Sequence, residues 1–191
     1  MFRQITMDEL KALALDAYGK IEKAYLHWTG VKGGKHFTDY HINIDRAGVM
    51  WTDMKALTDY KEHTYMRNSN AVGIAIEACW DAVSENHLGS EPPTKEQLTT
   101  MTQIMAVLTI NAGVPLDIQH QMTHAEAADN KDGLDLYYLD PTGYPNNTYG
   151  PDSNVDRWDL LVCHAGDERW SGGDWLRGTA RWWGAQWGSN I

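Results

Sequence analysis

Cysteine is scarce in this chain. Cys79 and Cys163 are the only two, too few for a disulfide framework, and the simpler reading is synthesis in a reducing compartment. Positive charge is also short: 16 Lys and Arg face 26 Asp and Glu, a formal net charge of -10. That balance argues against a dedicated nucleic-acid binder. No apolar run approaches the roughly 18 residues needed to span a bilayer, so no stable membrane association is expected. The start, Met1-Phe2-Arg3-Gln4-Ile5-Thr6, leads into a charged amphipathic stretch and carries no n-region or h-region. Synthesis in the cytoplasm without a signal peptide is the expectation. Internal repeats and low-complexity tracts are missing too.

What remains is ordinary globular composition, 42% hydrophobic and 22% charged over 191 residues. That suits a single domain spanning 1–191 with a continuous core. Thr6-Met7-Asp8-Glu9 has the spacing of a capping box and opens a helix through Leu10, Leu13, Leu15, Ala17 and Ile21. Lys23 to Trp28 reads as a buried strand ending in the loop Thr29 to Gly34. Tyr40 to Asp45 and Val49 to Trp51, joined at Arg46-Ala47-Gly48, read as a β-hairpin, and Ala71 to Cys79 as a central strand. A second capping box, Thr94 to Gln97, starts a long helix that stops at Asn111-Ala112-Gly113. Residues 130–155 read as a long loop insertion rich in Gly, Asp, Asn, Pro and Tyr, and Gly172 to Trp187 as a final helix. Strands alternating with helices predict an α/β fold, a central mixed β-sheet with helices on both faces.

Three polar side chains stand at the ends of apolar runs: His27 closes the first strand, His124 a later one, and Asp159 precedes Leu160-Leu161-Val162. Strand ends on one edge of a sheet converge in space. Two imidazoles and a carboxylate, with a fourth position open, is the composition of a catalytic zinc site.

The order of the motifs sharpens this reading. Leu26-His27-Trp28-Thr29, the hairpin Asp39-Tyr40-His41-Ile42-Asn43-Ile44-Asp45-Arg46-Ala47-Gly48, and Glu62-His63-Thr64 followed by Asn68-Ser69-Asn70-Ala71-Val72-Gly73-Ile74 come first. The Thr94 to Leu108 helix, then Thr123-His124-Ala125-Glu126 with Arg157-Trp158-Asp159, complete the series. From about Tyr25 to about Arg181 the chain resembles the zinc-dependent N-acetylmuramoyl-L-alanine amidases of the type 2 amidase and peptidoglycan-recognition-protein family.

The resemblance implies Zn²⁺ held by His27, His124 and Asp159, with peptidoglycan or muropeptides as substrate. It implies catalytic roles for Tyr40 and Arg157, where the family usually carries lysine, and substrate contacts for His63 and Asn70. His41 reads as structural. Lys131-Asp132 lies nearer the family's usual spacing, so Asp132 is a rival third ligand. Muropeptide-recycling members place a glutamate directly after the Gly-Ile of the central strand; here that residue is Ala75, and Glu77 comes two positions later. The implied activity is therefore phage-endolysin-like wall lysis, with release through a holin-type pore. A recycling amidase and a non-catalytic peptidoglycan-binding module are the alternatives. Tyr137, Tyr138, Tyr144 and Tyr149 in the insertion are expected to wall a substrate groove. Trp175, Trp182 and Trp183 are expected to pack into the core, the rival reading being a glycan-stacking surface. Nothing in the pattern sets an oligomeric state.

Overall fold

The computed structural model describes residues 1–136 and 157–191. The Tyr137, Tyr138, Tyr144 and Tyr149 groove wall, and with it most of the expected insertion, falls outside the described residues. The elements run β1 (Arg3–Ile5), α1 (Met7–Asp16), β2 (Lys23–Trp28), β3 (Ile42–Ile44), β4 (Met50–Thr52), β5 (Ala71–Ile76), α2 (Lys95–Val107), β6 (Gln121–Thr123), α3 (His124–Ala128) and α4 (Ser171–Gln186). A wide π-helical turn, Leu108–Ala112, ends α2, and Gly113 closes it with φ of 77°. Among the described residues no helix is long and apolar enough to cross a membrane.

Six strands form one mixed sheet in the order β1-β4-β3-β5-β2-β6. β3, β5, β2 and β6 run parallel, while β4 pairs antiparallel with both β3 and β1. The hairpin is as expected from sequence. The edge strand β1 is not, since three residues ahead of a capping box carry no periodic signal.

Both expected capping boxes form. Thr6 Oγ1 accepts from Glu9 N–H and Glu9 Oε2 from Thr6 N–H, and Thr94 and Gln97 do the same. A third, Thr123 with Glu126, starts α3.

Register explains the two faces. Leu26 pairs with Ile74 and Trp28 with Ile76, while Ile42 and Ile44 pair with the same two residues from the other side. That face forms the main core with Leu10 and Ala14 of α1, Met101 and Met105 of α2, and Leu176 and Ala180 of α4. The opposite face carries Tyr25 and His27 beside Gly73 and Ala75. Among the described residues short α3 and loops cover it, with Ala127 packed among Tyr25, Ala71 and Met122. Helices do flank the sheet, but unevenly. β5 therefore alternates small residues on this face (Ala71, Gly73, Ala75) with large ones on the other.

The C-terminal tryptophans depart from the sequence reading. Trp183 is half-buried against the core, but Trp175 and Trp182 are 38% and 53% exposed. The buried stripe of α4 is instead Gly172, Gly173, Leu176, Arg177, Ala180 and Gly184. Small residues there let the helix come close. At Gly172 a Cβ would lie 2.0 Å from the Leu160 carbonyl oxygen, so nothing larger than glycine fits. The two exposed indoles line a cavity of about 510 Å³ with Leu98, Thr99 and His164.

Candidate metal centre

His27 is the fifth residue of β2. Alternation turns it onto the thinly covered face, beside Ala75 of β5. It is fully buried. His124 is the first residue of α3, and its helix start is fixed twice. Glu126 Oε2 accepts from Thr123 N–H at 2.9 Å to complete the capping box. The same carboxylate takes two hydrogen bonds from Arg177 of α4, at 2.9 and 2.7 Å. Gly173 makes room for this pair, since a Cβ there would meet Glu126 Oε1 at 2.1 Å. Asp159 sits in a turn, and its carbonyl accepts from Ala125 N–H at 3.1 Å. The segments bearing His124 and Asp159 are thus bonded to each other by their backbones.

The three side chains converge. His124 Nδ1 lies 3.1 Å from Asp159 Oδ2. His27 Nδ1 lies 3.4 Å from the same oxygen without the alignment of a hydrogen bond. The two imidazole rings are 4.6 Å apart. Among the described residues, one potential ligand atom from each of the three falls within 4.8 Å of the others. The electrostatics suit a cation. Burial lowers the His27 pKa to about 4, against a smaller upward pull from Asp159. Burial would raise the Asp159 carboxyl, but the charge and hydrogen bond of His124, and then the nearby His27 imidazole, hold it below the usual carboxylate range.

His27 Nδ1 and His124 Nε2 are buried without a hydrogen-bond partner. Orphaned buried nitrogens are uncommon and costly. One nitrogen from each ring and the facing carboxylate make a donor set of two N and one O that fits a divalent metal.

Tyr40 and Arg157 lie at the same place. With Trp28, Thr29, Gly30, His124 and Asp159 they line a cavity of about 470 Å³, and the Tyr40 ring is 5.1 Å from that of His27. Burial first, then Asp159, raises the Tyr40 pKa, so its hydroxyl stays a proton donor. Arg157 and His124 also border a larger cleft of about 650 Å³ lined by Tyr60, Glu62, His63, Thr64 and Asn68. His63 is mostly buried, and its pKa is lowered to about 2 by burial and by the neighbouring imidazoles of His27, His41 and His124.

Other sequence candidates sit elsewhere. Asn70 is not brought to the cluster. It precedes β5 with φ of 53°, and its carbonyl accepts from Glu22 and Lys23 N–H. His27 pairs with Ala75, so Asn70 lies five residues back along β5, roughly 17 Å at about 3.3 Å per residue. Asp132 is not the third ligand of this cluster. Its carboxylate is held by Arg67 at 2.8 and 2.9 Å, a buried pair that occupies both oxygens. His41 accepts from Gly73 N–H at Nδ1, 3.0 Å, and donates from Nε2 to the Asp59 carbonyl, 2.7 Å, as a structural residue does. Glu77 takes Gly34 N–H at 2.7 Å and pairs with His36 Nδ1 at 2.6 Å, so it pins the loop after β2.

Sequence reading missed Glu126 with Arg177, and Thr64. Thr123-His124-Ala125-Glu126 does carry a capping-box spacing, the one signal that could have placed His124 on a helix start.

No family model matches the chain, and no curated protein matches it. Among solved structures the chain is similar to the N-acetylmuramoyl-L-alanine amidase LysC from Clostridium intestinale URNW. The TM-score is 0.42 and the identity 18%, over 55% of this chain and 70% of that one. It is also similar to the endolysine N-acetylmuramoyl-L-alanine amidase LysCS from the same organism, with a TM-score of 0.40 and 18% identity over 55% and 69% of the two chains.

Proposed function

We propose that this chain is a zinc-dependent amidase of peptidoglycan. On this reading it hydrolyses the amide between the lactyl group of N-acetylmuramic acid and the L-alanine of the stem peptide. The observation that carries the reading is the buried His27 Nδ1, left without a hydrogen bond opposite Asp159 and His124, the latter bordering both clefts. His27, His124 and Asp159 would hold the ion. Zinc bound there supplies Lewis acidity, polarising the scissile carbonyl and lowering the pKa of water toward neutrality.

The chain's own groups do the rest. Two imidazoles and one carboxylate would leave a divalent cation held there with net positive charge. Arg157, permanently charged and bordering both clefts, stabilises negative charge growing on the carbonyl oxygen. Tyr40, kept protonated, donates from its hydroxyl to position the attacking water or that same oxygen. Thr29 Oγ1, buried without a partner on the smaller cavity, is a further polar group for the substrate.

Wall lysis of the phage-endolysin type, with release from the cytoplasm through a holin-type pore, is favoured over muropeptide recycling. The recycling glutamate position is Ala75, and the nearby Glu77 is committed to Gly34 and His36. A binding-only module is disfavoured because Asp159 faces the two histidines.

The test is zinc content and muropeptide digestion for the wild type and Asp159→Ala. One zinc per chain with lactyl-alanine cleavage, both lost in the variant, is expected. A wild type supplied with zinc that neither binds it nor cuts would leave a peptidoglycan-binding module as the better reading.

A further inference from the structure

His27 is met from a different segment, the loop between β4 and β5, by Thr64. Thr64 is buried. Its N–H donates to Asn68 Oδ1 at 2.8 Å, as does that of His63 at 3.0 Å, and its carbonyl accepts from Arg67 N–H at 3.0 Å. So held, its hydroxyl stands between two imidazoles, 3.3 Å from His27 Nε2 and 2.9 Å from His63 Nδ1. The His63 ring lies over the bare backbone of Gly73, where a Cβ would come within 2.5 Å of it.

A hydroxyl has one proton to give. An imidazole that ligates is neutral and carries one N–H. Two arrangements then exist. In one, His27 Nε2–H donates to Thr64, whose hydroxyl either donates to His63 Nδ1 or accepts from it, leaving the His27 Nδ1 lone pair facing Asp159. In the other the bond to His27 reverses, and His27 Nδ1 keeps a proton aimed at Asp159 Oδ2. The second gains little, because that 3.4 Å approach lacks hydrogen-bond alignment. Only the first can ligate.

We propose that Thr64, backed by His63, is a positioning residue that fixes the metal-binding tautomer of His27 by accepting its Nε2 proton. The inference rests on the zinc-site reading above. Groups that accept the outer N–H of a ligating histidine change metal affinity by about 10- to 100-fold.

The experiment measures zinc affinity by chelator competition for the wild type, Thr64→Val and Thr64→Ser, with thermal melts of the chelated proteins. Valine keeps the shape without the hydroxyl; serine keeps the hydroxyl. Thr64→Val is expected to bind zinc about 10- to 100-fold more weakly, and Thr64→Ser within about threefold of wild type, with cooperative melts for both. Wild-type affinity in a folded Thr64→Val overturns the proposal.

Should Thr64→Val fail to fold, nitrogen NMR of the zinc-loaded wild type decides. Zinc on Nδ1 of His27 with the proton on Nε2 supports the proposal, and zinc on Nε2 overturns it. A wild type that binds no zinc at all removes the site reading itself, a result distinct from either.

Discussion

The two faces of the sheet spend the same strands differently. On one, Leu26, Ile42, Ile74 and Ile76 meet three helices in the main core. On the other, the same strands present His27, Gly73 and Ala75. Over them imidazoles stand in a row: His124 to His27 at 4.6 Å, His27 to His63 at 5.5 Å, His63 to His41 at 5.8 Å. The first face is built to be stable, the second to remain unsatisfied until something binds. Two fully buried histidines show the contrast within one strand layer. Both nitrogens of His41 are hydrogen-bonded, whereas Nδ1 of His27 is not.

If this division is real, substitutions on the two faces separate stability from chemistry. The largest effect is expected for Asp159→Ala. Zinc and cleavage should fall to background, while the urea midpoint of the chelated protein moves less than that of Leu26→Ala. Arg177→Met should cost about 3–5 kcal/mol, because it strands the buried Glu126 carboxylate. Its midpoint should drop accordingly, and zinc affinity should fall with it as the start of α3 loosens. An unchanged midpoint would remove the clamp on His124 as described.

Leu26→Ala should lose about 2–5 kcal/mol in denaturant melts yet keep one zinc per folded chain. Loss of zinc from the folded variant would show that the faces are not separable. Gly73→Ala should cost about 1–3 kcal/mol by overpacking against His63; a neutral result would mean the His63 ring is not held over that strand.

A pH dependence of the chelated protein is expected as well. Burial lowers His27 and His41 to about 4, against about 6.5 when unfolded. The unfolded chain therefore binds more protons in that window. Stability should be full above pH 6.5 and decline as pH falls toward 4. Equal urea midpoints at pH 7.5 and pH 5 would refute it.

Much of this was legible in the sequence because it is local. Two Thr-x-x-Glu/Gln caps, the Arg46-Ala47-Gly48 turn and the small-large run of β5 each depend on neighbours a few residues away. His27, His124 and Asp159 could be singled out because each borders an apolar run. What was not legible is set by distance in the chain. Arg67 claims Asp132 from 65 residues away, Arg177 claims Glu126 from 51, and Thr64 reaches His27 across 37. No period or spacing encodes such pairings. The tryptophans of α4 misled for a related reason. Helical periodicity finds a face, but the backbone contact made by Gly172 and Gly173 decides which face is inward.

The bond from Ala125 N–H to the Asp159 carbonyl has a consequence for how such a chain can change over generations. It joins the chain on either side of the 130–155 stretch at its root, next to both ligands, and the Arg67–Asp132 pair fastens the near side again. The ligand positions are then independent of how many residues intervene. Lengthening a loop already closed at its base costs only about 0.6 kcal/mol per doubling. The number of residues between Asp132 and Arg157 can then change over generations while His27, His124 and Asp159 keep their places.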